Sequence, residues 1–187
     1  MRSLEIYIHI PFCVSKCKYC DFKSVPSCPK ERSDYVESLC KKIRSYGDFA
    51  KAYRVVSIFV GGGTPSILEA EQMKEIFDTI KETFKLSSSA INGDEVEITI
   101  EANPGTVTLE KLLAYRECGV NRLSIGLQSV NNHELKALGR IHTYEEFLET
   151  YQMARDAGFE NINIDLISAI PHQTVESWKE TLEKVVE

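Results

Sequence analysis

VEITIEANPGTVTLEKLLAYRECGVNRLSIGL, residues 96–127, reads as strand, helix, strand. Val96–Glu101 is a short apolar and β-branched run, broken at Asn103-Pro104. Thr108 then stands as an N-cap before Leu109–Glu117, and Gly119 lies just past the helix end. Arg122–Leu127 is a second apolar run. Two strands joined through a helix of this length return to the same end of a sheet and lie parallel.

The same pattern extends in both directions. Strands are expected at Glu5–Ile10, Val55–Val60 and Asn161–Ile167, which makes five βα units with the two already read. Most carry apolar residues on both faces, as strands buried in a parallel sheet do, and helices are expected to cover both sides. Apolar residues at three- and four-residue spacing predict helices from about Lys30 to Tyr46 and from Glu69 to Phe84. Thr143 with Glu146 forms a capping box closed by Gly158, and Thr174–Glu187 reads as an amphipathic helix. Leu86–Asp94, rich in Ser and containing Asn92-Gly93, is a surface loop. The fold class is therefore α/β, a partial parallel (β/α) barrel. A closed eight-stranded barrel takes about 250 residues. With 187 residues, the expectation is one incomplete barrel domain over 1–187, part of a longer protein.

Composition narrows the partners. Hydrophobic residues at 43% and charged residues at 27% are ordinary for one globular domain. A net charge of −6 supplies no basic field for nucleic acid or anionic lipid. No apolar run is long enough to span a bilayer, and Met1–Pro11 lacks the pattern of a secretory signal, so a cytoplasmic location is expected.

Cysteine placement carries the chemistry. Of six cysteines, Cys13, Cys17 and Cys20 fall within eight residues, while Cys28, Cys40 and Cys118 are scattered. A cytosolic chain keeps thiols reduced, so the triplet points to a metal rather than to disulfides. Short spacings on a loop let three thiolates converge on one iron–sulfur core, and three ligands leave one iron open. Zinc would need a fourth ligand from His9 or Cys28, neither at the usual paired spacing. Cys28 is too far from Cys20 for a ferredoxin-like run, and Cys40 and Cys118 fit small buried apolar positions.

The other candidates share the triplet's location. In β/α barrels, reacting groups lie at the carboxyl ends of strands, where the βα loops face one cavity. There the sequence places the triplet, Gly61-Gly62-Gly63-Thr64-Pro65, Glu101, Gln128 and Asp165. Three glycines let the backbone approach a ligand and aim amides at it, though the run matches neither a P-loop nor a dinucleotide fingerprint. Glu101, half-buried at a strand end, needs a cationic or hydrogen-bonding partner, either a ligand ammonium or a neighbouring Arg or Lys. Asp165, between Ile164 and Leu166, poses the same question, with a core hydrogen bond as the alternative.

Six segments together resemble a known family: Tyr7-Ile8-His9-Ile10-Pro11-Phe12-Cys13, Tyr19-Cys20-Asp21-Phe22, Gly61–Pro65, Glu101-Ala102-Asn103-Pro104, Gly126-Leu127-Gln128-Ser129 and Asn163-Ile164-Asp165-Leu166. From about Tyr7 to Trp178 the chain resembles radical S-adenosylmethionine (SAM) proteins, and within them the group of oxygen-independent coproporphyrinogen III oxidase and the heme chaperone HemW. The resemblance implies a 4Fe-4S cluster whose open iron chelates the amino and carboxylate groups of SAM. An electron, delivered by a donor protein, then cleaves the sulfonium to methionine and a 5′-deoxyadenosyl radical. By position it makes Cys13, Cys17 and Cys20 the cluster ligands, with Tyr7 and Tyr19 beside the cluster and SAM. It gives Gly62, Gly63 and Thr64 backbone and hydroxyl contacts to SAM, and has Glu101, Gln128, Arg140 and Asp165 hold its polar ends; some of these could serve a second SAM.

Two departures sort the subgroups. The oxidase typically has a further cysteine where this chain has Phe22, and it carries an extension before its first strand. Both favour the heme chaperone subgroup, with heme as cargo and its binding residues beyond Glu187. Decarboxylation of coproporphyrinogen III is the second reading, and a zinc-stabilised binding domain the third.

Overall fold

The computed structural model describes residues 1–86 and 96–186. Five strands, β1 (Arg2–Ile10), β2 (Tyr53–Gly62), β3 (Glu97–Ala102), β4 (Arg122–Gln128) and β5 (Asn161–Leu166), form one sheet in the order β1-β2-β3-β4-β5. Every neighbouring pair is parallel. The connections carry α1 (Pro29–Arg44), α2 (Gly47–Ala50), α3 (Ala70–Thr83), α4 (Leu109–Glu117), α5 (Asn132–Leu138), α6 (Tyr144–Asp156) and, after β5, α7 (Val175–Val186). The partial (β/α) barrel read from the sequence is the fold found.

Local chemistry explains the element ends. The Thr108 hydroxyl accepts the Lys111 N–H at 3.2 Å, and Thr143 and Glu146 close a reciprocal box at the start of α6. α1 begins on Pro29, where a missing N–H costs nothing, with the Glu31 carboxylate accepting the Cys28 N–H at 2.7 Å. Neither α2 nor α5 is signalled by the sequence periods; each is too short to show one. The expected loop over Leu86–Asp94 lies, beyond Leu86, outside the described residues.

Two expectations about the layers are corrected. Strands following one another in order, each joined by a right-handed crossover, put their helices on the same face. Accordingly α1, α3, α4 and α6 form one layer, each packed on the next. The strands also alternate instead of being apolar throughout. In register, Ile8, Val60, Ile100, Leu123 and Ile162 form a row beneath the helices. The row one residue further along points the other way, with His9 beside Gly61 and Glu101 beside Ser124 and Asn163. This second, concave face is polar because it forms the wall of a site instead of a core.

Candidate functional site

The cysteine loop is stitched to the ends of two strands and one helix. The Cys13 N–H donates to the Val25 carbonyl at 3.1 Å and the Val25 N–H to Pro11 at 3.0 Å, so the loop leaves and rejoins β1 at one place. The Thr64 N–H, past β2, donates to the Phe12 carbonyl at 2.7 Å. At the loop's far side the Lys18 N–H donates to the Leu138 carbonyl at 2.9 Å, at the end of α5. His9 closes the base: its Nε2 lies 3.0 Å from the Lys23 carbonyl oxygen and its Nδ1 3.0 Å from the Tyr7 hydroxyl.

Beneath this loop lies a cavity of about 380 Å³. Cys13, Cys17, Cys20, Tyr19, Gly62, Gly63, Thr64, Glu101, Gln128, Arg140 and Asp165 all line it, so five strand ends deliver their candidates to one volume. Of the residues that the resemblance sets against the cluster or SAM, Tyr7 alone does not; its ring is stacked against Phe59 at 6.2 Å and its hydroxyl is engaged with His9. Cys28 stands exposed at the cap of α1, away from this lining, and Cys40 and Cys118 are buried as expected.

The glycine run is built for close approach. A Cβ on Gly63 would sit 2.5 Å from the Phe12 carbonyl oxygen and 3.0 Å from Cys13 Sγ, so only glycine admits the loop there. Its amides, however, are spoken for: Gly62 N–H donates to Glu101 at 3.1 Å and Gly63 N–H to the Ile10 carbonyl at 2.8 Å. With the Thr64 N–H on Phe12 as well, the expectation that these amides aim at a ligand is corrected. The run offers a ligand proximity, not N–H donors.

Polar groups converge on the opposite wall. Arg140 Nη2 donates to the Gly126 carbonyl at 2.8 Å and to Asn103 Oδ1 at 2.7 Å, while Nη1 points to Cys17 Sγ at 3.7 Å. Its Nε is buried without an acceptor. Asn103 in turn donates to Thr64 Oγ1 at 2.9 Å, and Thr64 Oγ1 to Cys13 Sγ at 3.4 Å. Two of the three cysteines thus receive donors from one chain of side chains. Gln128 sits at a register shift in β4 with φ of 74°, a conformation a non-glycine residue holds only when its surroundings enforce it.

Glu101 and Asp165 resolve differently. Among the described residues Glu101 has no ion-pair partner, and burial pushes its carboxyl above the ordinary range despite the Gly62 N–H; Asp165 nearby adds to the rise and His9 opposes it. Such a carboxylate is poised for a cation. Asp165 accepts from Ser124 Oγ at 3.0 Å and Asn163 Nδ2 at 2.7 Å, the hydrogen-bonded alternative for that position. Burial likewise pushes the Tyr19 phenol up to about 12, with Arg140 pulling the other way.

Asn103, Ser124 and Asn163 were missed as site residues. Asn103 and Asn163 lie inside segments that carry the resemblance, but nothing local marks an asparagine or serine as a hub; the strand register does.

The residues fit an iron–sulfur cluster with a bound cofactor. The three thiols are free, share one cavity, and face a glycine cradle and a guanidinium with an orphaned N–H. No three of His, Cys, Asp and Glu among the described residues are grouped tightly enough for a single metal ion. A cubane core places each thiolate on its own iron and takes a wider triplet.

Comparison with known proteins agrees. The family described as the Radical SAM superfamily matches residues 7–185. The heme chaperone HemW of Escherichia coli (strain K12) is 39% identical over the whole chain, and that of Lactococcus lactis subsp. lactis (strain IL1403) is 39% identical over 97% of it. These alignments take in 48% and 45% of the two relatives, so the chain spans about half the length of the curated relatives it matches. The Escherichia coli coproporphyrinogen III oxidase (HemN), a radical SAM enzyme, superposes with a TM-score of 0.87 at 33% identity, over 98% of this chain and 41% of that one. On sequence, cavity and fold together, the chain belongs to the radical SAM superfamily, whose members imply a 4Fe-4S cluster and SAM.

Proposed function

We propose that Cys13, Cys17 and Cys20 hold a 4Fe-4S cluster whose open iron binds SAM in the cavity beneath the loop, and that the protein is a heme chaperone of the HemW type. The observation that carries this is the convergence of three free thiols, a glycine cradle and an unpaired carboxylate on one cavity. When bound, the cluster and SAM supply one-electron cleavage of the sulfonium. The chain's own residues bind and orient. Glu101 would meet the SAM ammonium, the Arg140 guanidinium, whose Nε is buried without an acceptor, would meet its carboxylate, and Asp165, fixed by Ser124 and Asn163, would accept from ribose hydroxyls. Gln128 is held in its strained conformation to present its amide from the end of β4. Tyr19 shields the cluster side, and Tyr7 acts one layer out by fixing His9.

The chaperone reading is supported by relatives of that name at 37–39% identity and by Phe22 where the oxidase has a further cysteine. In this reading heme is the cargo, and a donor protein supplies the electron. Oxidative decarboxylation of coproporphyrinogen III is the second reading, supported by an oxidase of Synechocystis sp. (strain ATCC 27184 / PCC 6803 / Kazusa) at 34% identity.

The test is anaerobic reconstitution with iron and sulfide, then absorbance and EPR of the reduced protein with and without SAM. A 4Fe-4S signal that shifts on adding SAM and is lost in Cys17→Ala is the expected result. Bound zinc, or a cluster indifferent to SAM, overturns it. Heme binding against vinyl product from coproporphyrinogen III, on a protein of the relatives' full length, separates the two readings.

A further inference from the structure

One asparagine decides where two hydrogen bonds onto the cysteine sulfurs point. Asn103 stands just past the end of β3 with its backbone locked. Its N–H donates to Ser66 Oγ at 3.3 Å, and its carbonyl accepts from the Thr106 N–H at 3.1 Å and the Thr106 hydroxyl at 2.6 Å. Gly126 leaves the space that the side chain takes, since a Cβ there would come within 2.8 Å of Asn103 Oδ1.

The direction of the amide follows from its neighbours. A guanidinium has donors only, so Arg140 Nη2, at 2.7 Å, must face Oδ1, which leaves the amide Nδ2 for Thr64 Oγ1 at 2.9 Å. A hydroxyl has one proton to give. With the Asn103 N–H arriving at its oxygen, Thr64 directs that proton to Cys13 Sγ, 3.4 Å away. On the other arm both protons of Arg140 Nη2 are taken, by Asn103 and by the Gly126 carbonyl at 2.8 Å, and this turns Nη1 onto Cys17 Sγ at 3.7 Å.

We infer that Asn103 is a positioning residue that raises the reduction potential of the cluster, by aiming Thr64 at Cys13 and Arg140 at Cys17. The inference rests on the cluster assignment above. Reduction adds one negative charge to the cluster, and donors on its sulfurs stabilise that charge more than they stabilise the oxidised form. Thr64 is buried, so its bond is little weakened by solvent. Asn103 acts on the sulfurs only through these two donors.

The test is a redox titration of the anaerobically reconstituted protein, followed by EPR in the absence of SAM. In Asn103→Ala the ratio of reduced to oxidised cluster at a fixed potential should fall about tenfold, which is about 59 mV for a one-electron couple. Thr64→Val should lower the potential too, whereas Thr64→Ser, which keeps the hydroxyl, should stay near wild type. Adding Asn103→Ala to Thr64→Val should then cost clearly less than it does in the wild type, because the Cys13 arm is already gone. Resonance Raman gives an independent reading: the iron–thiolate stretches should shift on transfer to deuterium oxide in the wild type, and less in Asn103→Ala. A potential unmoved in Asn103→Ala, or losses that simply add, overturns the inference. Should Asn103→Ala fail to hold a cluster, Asn103→Asp takes its place. That carboxylate still accepts from Arg140 but offers Thr64 no N–H, so the hydroxyl turns away from Cys13, and the same smaller loss on Thr64→Val is required. A wild type that takes up zinc or assembles no 4Fe-4S cluster condemns the cluster assignment and the inference with it; a normal cluster with an unmoved potential condemns the role of Asn103 alone.

Discussion

Glu101 shows how one side chain carries both a binding role and a stability cost. Its carboxyl titrates above the usual range because burial disfavours the charge. The folded state therefore keeps a proton that the unfolded chain has already released. Stability from this group is fully present below the unfolded value near 4.5 and is lost as pH rises through the folded value, the reverse of an ion-paired carboxylate. At pH 7.5 Glu101→Gln should leave the cofactor-free protein as stable or slightly more so, by less than about 1 kcal/mol given the group's partial exposure. The same change should weaken SAM binding, because a charge-assisted contact of about 1.5–3 kcal/mol is lost, or roughly ten- to a hundredfold. Thermal melts across pH and SAM titration of the reconstituted cluster check the two halves; a variant that is less stable yet binds SAM normally contradicts both.

At the scale of elements, the cysteine loop depends on α5, a helix whose sequence shows no period to find. Gly139 ends that helix with φ of 76°, and its backbone faces Lys18, where a Cβ would come within 3.2 Å of the lysine side chain. Gly139→Ala then forces a side chain into the left-handed region, at about 1–2 kcal/mol, and pushes on the loop where it is pinned. The expected outcome is a protein that folds with a lower melting temperature and loses its reconstituted cluster faster on exposure to chelator. A cluster as durable as wild type would show that the α5 contact does not position the ligands. Here the limit of sequence reading is visible. Thr108, Thr143 and Gly119 mark helix ends through bonds within a few residues, so they are legible in order. The bond from Lys18 to Leu138 joins the loop after β1 to the helix after β4, and nothing near either residue announces it.

For the whole molecule, the alternation of strands and helices fixed the barrel topology, and strand-end placement gathered nearly all the site. What it did not give was the face each strand residue occupies. Tyr7 and Phe59 make β1 and β2 read as apolar on both faces, yet they face the concave side with His9, Glu101 and Ser124, and only inter-strand register reveals that polar wall. Among the described residues, β5 and β1 stand at the two ends of the strand order, β5 paired with β4 and β1 with β2, and Ile162, Ile164 and Leu166 are only partly buried. Unpaired edges of parallel strands are templates for another chain. The 187-residue chain on its own should therefore self-associate, eluting larger than its 21.2 kDa mass and dissociating on dilution. Light scattering coupled to size exclusion across a wide range of concentration decides it. A monomer throughout would mean that the partial burial of β5 against its own helices is enough to protect the edge.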